Sequence, residues 1–219
     1  MAQYILSHFS FLSYFSGMSL LASKSSRFAI SKSLGLLFLF IVVGLFLDSA
    51  SMASITTNAQ TYANISMLIG FSVTFCSINK RMKELMIFAV IIAVFGEYLF
   101  SIAFGMYTYR LENVPHYIPL GHAIVYVGVL YFSKASAILK NKRKFEYIFT
   151  SFIIVYATFY LILKGDVFGF VMTVITLLIL YKRPRERLFY LAMYITVVYL
   201  EIIGTHYGCW WWPTTAWDI

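Results

Sequence analysis

KRMKELMIFAVIIAVFGEYLFSIAFGMYTYR, residues 80–110, decides the fold class. Between Leu85 and Met106 it carries one charged side chain, Glu97. A helix of ~20 predominantly apolar residues is what crosses a ~30 Å hydrocarbon core. Lys80, Arg81 and Lys83 precede the stretch, and Tyr107 and Tyr109 close it. Lys and Arg collect in cytoplasmic loops, while Tyr and Trp favour the interface. The segment therefore reads as a span running from the inside to the outside.

The same pattern recurs along the chain. Spans are predicted at Ser33–Ser51, Thr61–Asn79, Glu84–Met106, Tyr117–Ser133, Phe145–Leu163, Val167–Tyr181 and Leu188–His206. The sixth is short and calls for thinning of the bilayer or an extension into its flanks. An eighth candidate, Tyr4–Ala22, holds five serines and His8. It either spans or lies along the interface, and with no positive charge before it, it does not read as a signal peptide. Composition agrees: 61% of the 219 residues are hydrophobic and 12% charged, against about 45–50% and about 25% in soluble domains. A chain of this size has no interior large enough to hide so much apolar surface. The expectation is an all-α, polytopic membrane bundle of seven or eight transmembrane helices, one domain over residues 1–219, with no linker-like break. Short loops make consecutive helices antiparallel neighbours.

Orientation follows from the cations. Lys24, Arg27 and Lys32; Lys80, Arg81 and Lys83; Lys134, Lys140, Lys142, Arg143 and Lys144; and Lys182, Arg183, Arg185 and Arg187 fall in alternate loops. They make fifteen of the 17 basic residues; the other loops hold only Arg110 and Lys164. These loops are expected to be cytoplasmic, in a cell membrane, with the C-terminus outside. The net charge of +8 is thereby assigned to topology and anionic headgroups rather than to nucleic acid. Cys76 and Cys209 fall near opposite faces, too far apart for a disulfide.

Ionisable groups at membrane depth mark function by default. Glu97 and Glu201 lie past the middle of two spans that run the same way. His206 ends the second of these, His122 lies just inside a span that starts outside, and His116 stands at its mouth. Asp48 is near the outer end of the first long span, and Arg110 and Glu112 lie in an outer loop. Each has a plain structural role available: a helix-to-helix hydrogen bond, a packed imidazole, a cap. Their common depth in the outer half points beyond those roles. Glu97, Glu201, His122 and His206 are the candidate catalytic groups. Tyr107, Tyr109, His116, Tyr126 and Trp210 are candidates to line a ligand. The Trp210, Trp211 and Trp212 run is otherwise an anchoring belt. No H-E-x-x-H or E-x-x-H pattern is present, and no Gly-rich phosphate loop or nucleophile elbow, so neither metal nor cofactor is expected.

GEYLFSIAFGMYTY and LEIIGTHYGCWWW share an order: Glu-x7-Gly-x-aromatic from Glu97, Glu-x6-Gly-x-aromatic from Glu201. The match suits a duplication with parallel halves, with one residue of slippage.

GEYLFSIAFGMYTYRLENVPHYIPLGHAIVY resembles the membrane-embedded carotenoid 1,2-hydratase family. Glu97, Gly105, Tyr107, Tyr109, Val114, Pro115, Ile118, Pro119 and Leu120 carry the resemblance, over about 30 residues; His122 stands where that family tends to have Trp. The resemblance implies hydration of a polyene end: Glu97 as acid, Glu201 or His122 orienting water, and the tyrosines facing the cation. An apolar lipid or isoprenoid substrate within membrane lipid is the expected partner. The alternatives are a proton-coupled carrier of a small solute and a subunit without a ligand.

Overall fold

The computed structural model describes residues 26–213; the candidate span Tyr4–Ala22 lies outside them. The chain forms α1 (Ser26–Leu47), a short α2 (Ala50–Ile55), α3 (Ala59–Ser77) and α4 (Lys80–Glu97). Helix α4 runs on as a π-helical turn, Tyr98–Ala103, and β1 (Thr108–Tyr109) follows. Then come α5 (Tyr117–Lys134), a short α6 (Ser136–Lys140), α7 (Lys142–Lys164), α8 (Val167–Tyr181), α9 (Arg187–His206) and β2 (Trp210–Trp211). Each of the seven expected apolar segments is thus helical.

Local chemistry sets several boundaries. Ser49 and Asn79 accept from the backbone N–H of Met52 and Met82, and Asp166 accepts from that of Gly169. Each satisfies one of the donors a helix start leaves open. The two acid-bearing helices end alike, on Gly105 (φ 59°) and Gly208 (φ 67°), in the left-handed region where a Cβ is penalised.

Four segments are long and apolar enough to cross a membrane: Leu37–Ile55, Lys80–Ala103, Lys142–Lys164 and Arg187–His206. Helix α8 is apolar but only 15 residues long. Helices α3 and α5 have the length but are diluted by polar side chains, among them Gln60, Asn64, Ser72 and Thr74 in α3 and His122 in α5. Helix α5 is central, packed against α4, α3, α9 and α1, and it buries Ile118, Ala123, Ile124, Val125, Val127, Val129 and Leu130. Helices α7 and α8 pack on each other and on α9. The outer surface is the reverse of a soluble protein's: Phe95 and Ile162 are 70% and 74% exposed, with Ile92, Val155 and Leu178 beside them in character. Contiguous apolar surface of this kind is tolerated in lipid and not in water.

The loops segregate. Lys142 Nζ donates to the carbonyl of Pro184, and Arg187 pairs with Glu146, joining two of the basic loops at one end. At the other end Asp48, Arg110, Tyr117 and Cys209 are bonded into one cluster.

Candidate functional site

Glu97 is the last α-helical residue of α4 and is 6% exposed. Beyond it the helix widens into the π turn, where the N–H of Phe104 reaches back to the carbonyl of Leu99. Gly105 reverses the chain, and Ser101 Oγ donates to the carbonyl of Tyr107 at 3.1 Å. The two tyrosines of Tyr-Thr-Tyr, alternate residues on one side of a short strand, are carried back over the acid. Both phenols donate to Glu97 Oε2, each at 2.6 Å. These are the short bonds expected of a carboxylate acceptor.

Glu201 is built the same way. After α9 the chain turns at Gly208, and Trp210 and Trp212 come back over the acid. Their indole N–H groups donate to Glu201 Oε2 at 3.0 and 3.1 Å. Trp210 is 4% exposed, and its ring occupies the space a side chain at Gly204 would fill. The two aromatic strands pair antiparallel, Tyr109 opposite Trp210 and Thr108 opposite Trp211. Tyr109 and Trp210 meet edge to face at 6.0 Å, and Tyr107 lies 5.1 Å from Trp212. Two aromatic bridges therefore join the carboxyls: Glu97–Tyr107–Trp212–Glu201 and Glu97–Tyr109–Trp210–Glu201.

The second oxygen of Glu97 has a different neighbour. His122 Nε2 stands 3.5 Å from Oε1. Its Nδ1 is 3.0 Å from the carbonyl of Ile118, which only accepts, so Nδ1 carries a proton. The other ring nitrogen, Nε2, is then the one that faces Oε1. With Oε2 taken by two phenols, any proton Glu97 gives or receives moves through Oε1. His122 also forms part of the wall of a small cavity of about 40 Å³. The rest of the wall is almost wholly apolar, including Phe40, Ile41, Met67, Val125 and Leu200.

Burial and the Glu97 charge push the phenols of Tyr107 and Tyr109 well above their ordinary range. In Tyr107 the hydrogen bond to Glu97 outweighs the charge; in Tyr109 the order is reversed. Both remain protonated donors. Burial, then the charge of Asp48, pushes the Cys209 thiol up to about 12.

A second cluster holds the site from the side. Asp48 is fully buried; its carboxylate pairs with Arg110 and accepts from Tyr117 Oη at 2.8 Å. Arg110 Nε donates to the carbonyl of Asp48, and the Arg110 N–H to that of Cys209. Cys209 Sγ donates to the carbonyl of Leu45. The end of α1, the start of α5 and both aromatic strands are thus tied at one point. Gln60 and Asn113 exchange two amide hydrogen bonds, and Asn64 accepts from the Tyr117 N–H.

Of the residues singled out in the sequence, Glu97, His122, Glu201, Tyr107, Tyr109 and Trp210 are brought together. His116 is exposed at the start of α5. Tyr126 packs on Phe189 at 5.6 Å, away from the acids. His206 is exposed, with its ring 5.9 Å from Tyr207, and it does not join the cluster. Trp212 belongs to the site although only Trp210 was expected there; its place two residues on, the spacing of Tyr107 and Tyr109, is the signal. Among the described residues no three His, Cys, Asp or Glu side chains form a metal-holding group. No family model, curated protein or solved structure matches the chain.

Proposed function

We propose that the chain is a membrane protein of seven or eight spans, basic loops cytoplasmic, with an acid–base site in the outer half of the bilayer that acts on an apolar lipid or isoprenoid. One observation carries this reading: Glu97 Oε1 faces Nε2 of His122, and that imidazole forms part of the wall of an apolar cavity. A carboxyl and an imidazole side by side are the equipment of general acid–base catalysis, and an apolar wall disfavours a charged substrate.

Hydration of a carbon–carbon double bond fits. Glu97 gives its Oε1 proton to one alkene carbon, water oxygen bonds to the other, and the proton lost by that water returns to Oε1 through His122. The proton donor and acceptor are Glu97 and His122, and the aromatic side chains of the cavity wall are Phe40 and Tyr117, rings of the kind that stabilise a cation. The competing carrier reading needs a polar path through the inner half. Ser72, Thr74, Ser77 and Thr176 instead donate to carbonyls one turn back on their own helices, as hydroxyls in apolar helices do.

The test is a Glu97→Gln variant in membranes given a total lipid extract in ¹⁸O-labelled water, with mass spectrometry of the products. The parent chain is expected to give lipid carrying the label, and Glu97→Gln to lose this by ~100-fold or more. Equal labelling with the variant removes Glu97 from the chemistry. Proton-coupled uptake into vesicles with no labelled lipid favours the carrier.

A further inference from the structure

The two carboxyls share one construction but not one chemistry. Glu97 is held by phenols that donate to its Oε2, while its Oε1 faces an imidazole. Glu201 is held by indoles, which only donate; its Oε2 must be an acceptor in every state that keeps the ribbon in place. Glu97 also has a proton partner in His122 Nε2.

We infer that Glu201 is a positioning residue, a fixed acceptor that holds the aromatic ribbon over Glu97, and that Glu97 alone exchanges the proton with His122. The inference rests on the acid–base reading of the Glu97–His122 pair. Its mechanical basis is the chain of contacts. Glu201 fixes Trp210 and Trp212; those rings pack on Tyr109 and Tyr107; and these phenols hold Glu97 Oε2, leaving Oε1 for exchange. Every group facing Glu97 takes part in that arrangement: Tyr107 and Tyr109 from the ribbon, His122 from α5, and the more distant charge of Glu201 from α9.

The two acids should therefore respond oppositely to amide substitution. In Glu201→Gln the amide oxygen accepts both indole bonds as the carboxylate did. In Glu97→Gln the atom facing His122 no longer carries an exchangeable acid proton. The experiment is pH-difference infrared spectroscopy of the purified chain in lipid nanodiscs, following a protonated-carboxyl C=O band that shifts in D₂O. Glu97→Gln should abolish the titrating band and Glu201→Gln should leave it. The labelling assay adds a second readout. Glu201→Leu, which releases both indoles, should lose ~10-fold or more, and Glu201→Gln, which keeps an acceptor for them, should lose less and retain the parent's pH profile.

A band lost in Glu201→Gln, or retained in Glu97→Gln, overturns the inference. So does a Glu201→Gln chain that is inactive with unchanged tryptophan fluorescence. The infrared result does not depend on the substrate. If no lipid is labelled while the band still belongs to Glu97, the enzymatic reading fails and the division between the acids stands.

Discussion

Gly204→Ala tests the construction of the ribbon without touching an ionisable group. A Cβ built on Gly204 would lie 2.0 Å from Trp210 Cη2, 2.1 Å from Cζ2 and 2.6 Å from Cζ3. Three atoms of one rigid ring cannot all yield by a small rotation, so the indole must swing away. Its N–H then leaves Glu201 Oε2, now 3.0 Å away, and its edge leaves Tyr109. Overpacking of a filled site costs ~1–3 kcal/mol. Loss of a hydrogen bond to a charged group costs ~1.5–3 kcal/mol. Together these give ~2.5–6 kcal/mol, and at ~2–4 °C per kcal/mol for a chain of this size the melting temperature should fall by roughly 5–24 °C. Gly96→Ala is the control, since it lies one residue before Glu97 and its Cβ would meet nothing within 4 Å. Alanine there removes the penalty of a mid-helix glycine, ~0.5–1 kcal/mol, so stability should hold or rise. The assay is thermal unfolding in detergent, with tryptophan emission recorded on the folded chains. A Gly204→Ala chain with the parent's melting temperature and emission would refute the seating of Trp210 on α9, and with it the bridge to Glu201.

Asp48→Asn and Arg110→Met each strand one partner of a buried ion pair, which costs ~3–5 kcal/mol, and the double variant should recover part of that loss in thermal unfolding; additive losses would mean the two are not coupled. Cys209 is buried with its thiol pushed up to about 12, whereas Cys76 is exposed. Because the thiolate is the nucleophile, maleimide at pH 8 should label the folded chain once, at Cys76, and Cys76→Ser should remove the label; a reactive Cys209 would show that α1 and the ribbon are not packed together. Reporter fusions after Lys144 and after Tyr109 should lie on opposite sides of the membrane, from the bias of basic residues; the same side for both would defeat the proposed orientation.

The helices were legible because apolar length and alternating basic loops are coarse signals that survive local error. The π turn and the ribbon were not. Two-residue strands leave no periodic trace, so nothing in GMYTY or GCWWW foretold that Tyr109 would pair with Trp210. Asp48 read as a possible cap because its partner is 62 residues away. Depth alone groups His206 with the acids. Five residues separate it from Glu201, and at ~100° per residue that turns it about 140° off the carboxyl's face, which is why it is exposed. The one-residue slip between the two Glu–Gly–aromatic stretches has a physical account. A π turn carries one more residue than the α turn it replaces, and Tyr98–Ala103 lies inside the longer stretch. The extra residue is absorbed before Gly105, so both glycines reach the left-handed region and both aromatic pairs fold back on their acids. What distinguishes the halves is therefore not only spacing but the choice of phenol in one and indole in the other, and the imidazole of His122 that stands 3.5 Å from the second oxygen of Glu97.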